Sequence, residues 1–314
     1  MKFLSRLISM FLCAGMACTC FAQDPATCKT VRFADVGWTD IAATTGLASV
    51  VFEGLGYKPV KTIASVPITF VGLKTSQLDV FLGYWTPSMT PIAEPFIKKH
   101  QIKVLDRPNL VGAKYTLAVP SYVYDAGLKS FQDIAKYADR LDHRIYGIEP
   151  GNDGNALILG MIKKNEFGLG SFKLMASSEA GMLVALRRAV KRKQWIVFLG
   201  WEPHPMNVKH KIDYLSGGDK VFGPDYGAAR VFTALAPDYL ARCPNAGKLV
   251  RNLTFTTDIE NHVMAPIMNK IEPEPAAKAW LTRHPQVLSQ WLAGVTTFDG
   301  KTSGLAAVQA YLKR

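Results

Sequence analysis

The chain has 314 residues, of which 48% are hydrophobic and 20% charged, and its formal net charge is +12. This composition excludes a disordered chain, because the apolar fraction is large enough to offset the entropy lost on folding. The 25 Gly, 18 Pro and five Cys exclude collagen-like and disulfide-dense scaffolds. Beyond the N-terminus no apolar run is long enough for a membrane-spanning permease.

The N-terminus has the pattern of a secretory signal peptide. Two basic residues precede an apolar run over residues 7–20, which is too short to span a bilayer. Small residues favour cleavage after Ala22, so residues 1–22 are set aside from the fold. A lipoprotein signal at Cys18 is the alternative, but Gly15 stands where a Leu is wanted. We expect a mature, exported chain in the periplasm.

Cleavage would leave two cysteines, Cys28 and Cys243. An even pair in an exported chain predicts a single disulfide, and two free buried thiols are the alternative. A bridge between residues so far apart in sequence makes topological sense only if the chain leaves a lobe and returns to it.

The positive charge is scattered except for a basic cluster over residues 187–193. Leu183, Leu186 and Val190 follow helical spacing through this cluster, which indicates a solvated helix face. An exported protein also has little nucleic acid to bind, so no nucleic-acid partner is predicted.

Predicted strands and helices alternate along the chain. The first half contains a strand at 30–36, a helix at 41–54, a strand at 59–63, a helix at 66–76 and a strand at 79–84. The second half contains a strand at 112–119, a strand at 144–148, helices at 155–164 and 179–192, and a strand at 195–199. This alternation predicts an α/β fold of two lobes, each a mostly parallel sheet flanked by helices.

A short internal repeat supports two similar lobes. Residues 80–87 read VFLGYWTP and residues 197–203 read VFLGWEP. Each copy is a buried strand that runs through Gly to a Trp and then a Pro. The turns at 37–40 and 151–154, each after a strand, also correspond.

The domain boundaries follow from this repeat. The chain is expected to cross between lobes near residues 109–113 and again near residues 203–210. Lobe I is therefore predicted to be discontinuous, with residues 23–110 and 205–314, and lobe II to contain residues 111–204.

The candidate ligand site lies where the strands of both lobes end. Parallel sheets bind ligands at the carboxyl ends of their strands, and clefts between domains favour small molecules. Trp38, Trp85 and Trp201 each follow a strand at a Gly- or Pro-marked turn, where binding residues concentrate. Asp40 opens the next helix, and an ordinary helix cap is its alternative role. Tyr115 begins the strand by which the chain enters lobe II.

Several aromatic faces that converge on one point suit a cation without hydrogen-bond donors. A quaternary ammonium gains roughly 0.5–2 kcal/mol from each face. Micromolar affinity needs about 8 kcal/mol in total, so methyl contacts and one charged partner must provide the remainder. Asp40 is placed to be that partner. The other three tryptophans are interpreted as packing residues: Trp195, Trp280 and Trp291.

Four motifs together carry a family resemblance: FADVGWTD at 33–40, FLGYWTP at 81–87, PGNDG at 150–154 and FLGWEPHPM at 198–206. With them the chain resembles the periplasmic substrate-binding proteins of quaternary-amine ABC importers, the glycine betaine/choline-binding type, over essentially the whole mature chain. The resemblance is greatest to the choline-binding members.

The resemblance implies a ligand, a partner and roles for particular residues. Choline would be captured in a four-sided aromatic box and delivered to an ABC permease in the inner membrane. The lobes would close on it by a hinge motion. The implied residues are Trp38, Trp85, Tyr115 and Trp201 for the box, Asp40 and Asn152 for the ligand's hydroxyl or charge, and Cys28 and Cys243 for a disulfide.

Other quaternary amines are the nearest alternatives to choline. Glycine betaine carries a carboxylate, and Asp40 stands where a donor to that carboxylate would be needed. Asn152 could still donate to it, so betaine stays open. Proline betaine, carnitine and acetylcholine share the cation and stay open too.

An enzyme is the alternative from a different class. The sequence has no Gly-x-Ser-x-Gly elbow, no His-Glu-x-x-His motif and no phosphate-binding Gly-Lys-Ser/Thr loop. His204 and His210 have no partner at ligand spacing and are interpreted as surface or capping residues. We therefore expect a monomeric binding protein, with no catalytic residue, no metal and no cofactor.

Overall fold

The structure is a computed structural model that describes residues 23–314. The predicted signal peptide and its cleavage site after Ala22 lie outside the described residues. Within residues 23–314 no helix is both long enough and apolar enough to cross a bilayer.

Nine strands form one continuous twisted sheet through residues 23–314. They are β1 (Thr30–Asp35), β2 (Lys58–Ile63), β3 (Val80–Thr86), β4 (Lys103–Pro120), β5 (Arg144–Tyr146), β6 (Lys173–Met175), β7 (Phe198–Glu202), β8 (Ile212–Tyr214) and β9 (Ala228–Leu235). The strand order is β2-β1-β3-β9-β4-β7-β5-β6, and β8 pairs with β4.

Helices flank this sheet. They are α1 (Thr39–Gly54), α2 (Val66–Lys74), α3 (Thr90–Lys98), α4 (Ser121–Asp125), α5 (Phe131–Ile134), α6 (Asp153–Lys163), α7 (Glu179–Arg192), α8 (Met206–Lys209), α9 (Asp219–Phe222), α10 (Pro224–Gly227), α11 (Tyr239–Arg242), α12 (Pro244–Asn252), α13 (Thr257–Met268), α14 (Pro273–Arg283), α15 (Val287–Trp291) and α16 (Gly304–Leu312). Short 3₁₀ turns cover Ala26–Cys28, Ala135–Tyr137, Asp139–Leu141 and Glu166–Ser171.

The sheet has a parallel trio of strands at each end. Strand β1 pairs in parallel with β2 and β3, and β5 pairs in parallel with β6 and β7. The antiparallel pairs come from the long strands β4 and β9, which join the two trios. The predicted α/β fold is confirmed, and the sequence pattern did not reveal the central antiparallel pairing.

Helix α1 is buried along most of its length, and this anchors the start of the candidate site. Helices α13, α14 and α16 pack over it, so its small residues face protein on every side. A Cβ at Gly46 would lie 2.9 Å from the carbonyl oxygen of Pro273. A larger residue at Gly46 would therefore push α14 away from α1.

Strand β4 makes the first crossing between the two halves. Its early residues pair with β9, and its residues from Lys114 to Ala118 pair with β7. Residues 205–222 then stay with the second half, because β8 pairs with Ala118 to Pro120 and Phe222 packs against Phe131. The next strand to pair with the first half is β9, which begins at Ala228 and lies against β3. The return crossing near residues 203–210 stays a prediction.

The predicted disulfide between Cys28 and Cys243 is present, with 5.7 Å between the two Cα atoms. It joins the N-terminal segment to the start of α12. Asp24 strengthens the same junction, since its carboxylate accepts hydrogen bonds from the backbone N–H groups of Asn245 and Ala246 over 2.8 and 2.9 Å. The N-terminal segment is therefore held against a segment that lies 215 residues later in the sequence.

Candidate functional site

A small cavity lies at the carboxyl ends of both parallel trios, and its volume is about 260 Å³ with the solvent-open part included. Small-molecule ligands commonly bind in clefts at such strand ends. The residues that line it are Trp38, Asp40, Trp85, Tyr115, Ile148, Asp153 and Trp201. The structure thus brings together five of the six sequence-predicted ligand residues.

The aromatic side chains are positioned by strand register. Tyr115 on β4 lies directly opposite Trp201 on β7, and cross-strand partners project from the same face. The rings of Trp85 and Tyr115 lie 6.0 Å apart between centroids. Trp38 ends the loop after β1 and immediately precedes the first residue of α1.

Two of these tryptophans lie within strands rather than in the turns that follow them. Trp85 pairs with Val231 on β9, and Trp201 pairs with Tyr115. Strand β7 also begins at Phe198, three residues after the predicted start. Trp195 therefore precedes the strand, half-buried against Tyr137. The cross-strand pairing explains why the strands continue through the tryptophans.

Two buried carboxyl groups face the cavity. Asp40, in the first turn of α1, is 2% exposed, and Asp153, at the start of α6, is 1% exposed. Within residues 23–314, Oδ1 of Asp40 and Oδ2 of Asp153 have no hydrogen-bond partner. Buried polar atoms are rarely left unpaired, so these oxygens are candidates for contact with a ligand.

Burial raises the pKa of both carboxyl groups. The pKa of Asp40 rises to about 7, mainly through desolvation and then through the negative charge of Glu179. The pKa of Asp153 rises to about 6, again mainly through desolvation. A cation in the cavity would restore the ionised forms, because opposite charge favours the charged state.

Among residues 23–314, no Lys or Arg side chain lines the cavity. The lining is therefore apolar and aromatic with two acidic groups, which matches a cation and mismatches a simple anion. The indole N–H of Trp201 is also buried without a hydrogen-bond partner within residues 23–314. The indole N–H of Trp85 is in the same state, so both are candidates for contact with a ligand.

Asn152, the sixth predicted residue, does not line the cavity. Its Oδ1 accepts hydrogen bonds from the Tyr115 hydroxyl over 2.9 Å and from the Asn155 N–H over 3.0 Å. Its Nδ2 donates to Oδ1 of Asp153 over 3.2 Å. Asn152 therefore caps α6 and holds the lining residues Tyr115 and Asp153 in place. Its direct contact with a ligand stays a prediction.

Close packing behind Tyr115 requires a glycine at position 154. A Cβ there would lie 2.1 Å from the Tyr115 hydroxyl oxygen. The glycine that follows Asp153 in the PGNDG motif therefore lets the aromatic ring approach the first turn of α6.

The sequence placed the 151–154 turn in the site without singling out Asp153, and it gave no signal for Ile148. His204 was expected at the surface or as a cap, and it is 1% exposed. Its Nδ1 accepts from the Met206 N–H over 3.0 Å, which is a cap, and its ring lies 4.8 Å from that of Trp201. The packing against Trp201 buries it.

The histidines and acids do not form a metal centre in the part of the chain that the structure describes. No group of three or more His, Cys, Asp or Glu side chains within residues 23–314 is arranged to hold an ion.

The fold, with a cavity at the strand ends of both parallel trios, is that of a substrate-binding protein of an ABC importer. Residues 29–283 match the family described as the substrate binding domain of the ABC-type glycine betaine transport system. The chain belongs to this family, which confirms the predicted family and fold. Binding proteins of ABC importers work on the outer side of the membrane.

Three relatives show how far the similarity extends. A solved ABC-transporter choline binding protein in complex with choline is 51% identical, with a TM-score of 0.90 over 92% of this chain and 100% of that chain. Lactococcal OpuAC in its closed-liganded conformation complexed with glycine betaine is 27% identical, with a TM-score of 0.75 over 83% of this chain and 98% of that chain. The glycine betaine/carnitine transport binding protein GbuC of Listeria monocytogenes is 28% identical over 52% of this chain and 53% of its own length.

Proposed function

We propose that this protein captures choline in the periplasm and delivers it to an ABC permease in the inner membrane, without changing it chemically. The observation that carries the proposal is the lining of the cavity, to which residues 23–314 contribute four aromatic side chains, two acidic ones and no basic one. The similarity to a structure with bound choline supports it.

The aromatic residues would hold the trimethylammonium group. Each ring face contributes roughly 0.5–2 kcal/mol to a desolvated cation, so several faces account for much of the 8 kcal/mol or so that micromolar binding needs. Apolar contact between the methyl groups and the rings adds to this. The four proposed box residues are Trp38, Trp85, Tyr115 and Trp201.

The acidic residues would hold the rest of the ligand. Asp40 would accept a hydrogen bond from choline's hydroxyl, and both Asp40 and Asp153 would balance its positive charge. Asn152, for which the family resemblance implied a contact with the ligand's hydroxyl or charge, would act through its hydrogen bonds to Asp153 and Tyr115.

Glycine betaine is the second candidate, and one observation favours it. Carboxyl groups with pKa values of about 7 and about 6 can be protonated near neutral pH and could then donate to a ligand carboxylate. Above those pKa values, however, Asp40 and Asp153 would repel that carboxylate in a site that excludes water. Choline therefore fits this lining better at and above pH 7.

A ligand panel tests the proposal. Calorimetry or tryptophan fluorescence at pH 8 should rank choline above acetylcholine, carnitine, glycine betaine and proline betaine, and the ligand should be recovered unchanged. A tenfold preference for glycine betaine would overturn the choline assignment, and a released product would show an enzyme. Sedimentation of the same sample tests the expected monomer.

We also propose that the cavity opens by a hinge between two lobes. On the contacts above, lobe I is residues 23–110 and 223–314, and lobe II is residues 111–222. Solution scattering should show a smaller radius of gyration when choline is added. An unchanged radius at saturation would contradict the hinge.

A further inference from the structure

The first turn of α1 is capped by a side chain from the other lobe. Trp38 stands at the N-cap position and makes no side-chain cap. Instead, the backbone N–H of Thr39 donates to Oε2 of Glu179 over 2.8 Å, and the Thr39 hydroxyl donates to Oε1 of the same carboxylate. Thr39 belongs to lobe I and Glu179 to lobe II, so these hydrogen bonds exist only when the lobes are together.

Glu179 is held in place from its own lobe by His204. The Nε2 atom of His204 lies 3.2 Å from Oε1 of Glu179. Because Nδ1 of His204 accepts from the Met206 N–H, a neutral ring carries its hydrogen on Nε2 and donates it to Glu179. Both Glu179 and His204 are buried. His204 therefore orients the carboxylate by a contact that does not involve Thr39.

The position of this carboxylate is electrostatically favourable. The N-terminus of a long helix carries a partial positive charge and unpaired N–H groups, and a carboxylate there makes charge-assisted hydrogen bonds. A second contact crosses beside it, since the indole N–H of Trp38 donates to Oε1 of Glu149 over 2.9 Å. Two glutamates of lobe II thus hold the turn that carries Trp38 and Asp40.

Neither Glu179 nor His204 lines the cavity, and Thr39 does not either. Their contribution to ligand binding is therefore indirect. A contact that forms only on closure lowers the free energy of the closed state whether or not a ligand is present, and it slows reopening after the ligand has bound.

We propose that Glu179 is a latch between the lobes: His204 orients its carboxylate, and the carboxylate accepts hydrogen bonds from Thr39 when the lobes close. These hydrogen bonds determine what fraction of the empty protein is closed and how long a bound ligand stays. The part that concerns ligand lifetime rests on the proposed function. Glu179 is a positioning residue in this proposal, because it acts through Thr39 and does not touch the ligand.

The variants are Glu179→Gln, which replaces one acceptor oxygen with a donor group, and Thr39→Val, which removes the hydroxyl from the other side. The matched control is Glu166→Gln, a partly exposed glutamate of lobe II whose partner is Lys164. Stopped-flow tryptophan fluorescence with choline should show dissociation about tenfold faster in Glu179→Gln, with the association rate within twofold of wild type. Thr39→Ser, which unlike Thr39→Val keeps a hydroxyl, should release choline as slowly as the wild type.

The empty protein provides a test that does not depend on choline. Spin labels at Lys98→Cys in lobe I and Lys191→Cys in lobe II, both at exposed positions, report the distance between the lobes. Glu179→Gln should shift the ligand-free distribution to longer distances, and Glu166→Gln should not. If choline does not bind at all, the proposed function is wrong, but a shift of the ligand-free distance distribution in Glu179→Gln still supports the latch.

Two outcomes would overturn the latch. One is a ligand-free distance distribution in Glu179→Gln and Thr39→Val that equals that of the control. The other is additivity of Glu179→Gln and Thr39→Val in the dissociation rate, since residues in contact should be coupled. If Glu179→Gln fails to fold, Thr39→Val and Thr39→Ser still decide the question.

Discussion

The hydroxyl of Tyr115 donates a hydrogen bond to Oδ1 of Asn152 over 2.9 Å. This bond joins strand β4, which pairs with both β7 and β9, to the cap of α6, whose first residue is Asp153. An aromatic face and an acidic group of the cavity are therefore fixed relative to each other. Burial raises the pKa of Tyr115 well above its ordinary value, so the hydroxyl remains a donor at any physiological pH.

Tyr115→Phe tests this relationship. The ring face stays in the cavity, and Oδ1 of Asn152 keeps its bond from the Asn155 N–H, so no buried acceptor is left unpaired. We expect choline to bind only about two- to fivefold more weakly. Tyr115→Ala, which removes the face as well, should cost at least tenfold more. Equal losses in calorimetry for the two variants would show that the hydroxyl, and not the ring, carries the binding.

Trp201→Ala should weaken choline binding by roughly 1–3 kcal/mol, because an aromatic face and its apolar contact are lost together. Trp280→Ala is the comparison. Trp280 is buried in α14 against His284, away from the cavity lining, so its loss should lower the melting temperature and leave the affinity of the folded protein unchanged. Equal affinity losses would contradict the placement of the site.

The sequence pointed to Trp38, Trp85 and Trp201 because each stands near the end of a predicted strand beside a Gly or Pro, a local pattern that one chain displays by itself. Tyr115 could be assigned only through the family resemblance. Its role depends on lying opposite Trp201, and that register joins residues far apart in sequence. Pairing of this kind follows from the assembled sheet and leaves no local signature.

The roles of the acidic residues are also not visible in the local sequence. Asp153 stands in a Gly-rich turn, where an aspartate is ordinary, and only its burial marks it as exceptional. Glu179 follows Ser178 at a helix start, where a glutamate is equally ordinary. Its contact with Thr39 spans 140 residues and depends on how the lobes meet.

Removal of the disulfide should affect stability more than binding. Cys28 and Cys243 close a loop of 215 residues, and a native bridge of this kind contributes roughly 2–4 kcal/mol. The double variant Cys28→Ser/Cys243→Ser should melt at a lower temperature, while the affinity for choline stays within about twofold at a temperature where it is folded. A tenfold loss of affinity would show that the junction at α12 controls the cavity.

The affinity for choline should depend on pH. The pKa values of about 7 for Asp40 and about 6 for Asp153 mean that both groups are mostly protonated at pH 5 in the empty protein. A cation binds the ionised forms better, so affinity should rise between pH 5 and pH 8, by about tenfold or more, and then level off. Binding at pH 6.5 should release protons, which calorimetry in buffers of different ionisation enthalpy measures. A flat profile would contradict a role for these groups.

Asp40→Asn should separate choline from glycine betaine. Asparagine keeps the shape of the side chain and removes its charge. Choline should bind tenfold or more weakly, about 1.4 kcal/mol, because it loses a charged acceptor for its hydroxyl. Betaine should bind as well as before or better, because a like charge is removed. Equal losses for both ligands would show that Asp40 serves the helix and not the ligand.

The same substitution should make the empty protein more stable at high pH. Because the folded pKa of Asp40 is raised to about 7, its protonated form contributes stability that is present below about pH 4 and is lost as the pH rises through 7. About three pKa units correspond to at most about 4 kcal/mol, at 1.36 kcal/mol for each unit.

Ligand-free Asp40→Asn should therefore melt higher than wild type at pH 8, and the difference should shrink towards pH 4.5. Choline should reverse the order at pH 8, since it stabilises the ionised aspartate of the wild type by mass action. A lower melting temperature for the empty variant at pH 8 would mean that the ionised Asp40 carboxylate stabilises the fold even when no cation is bound, which would contradict this prediction.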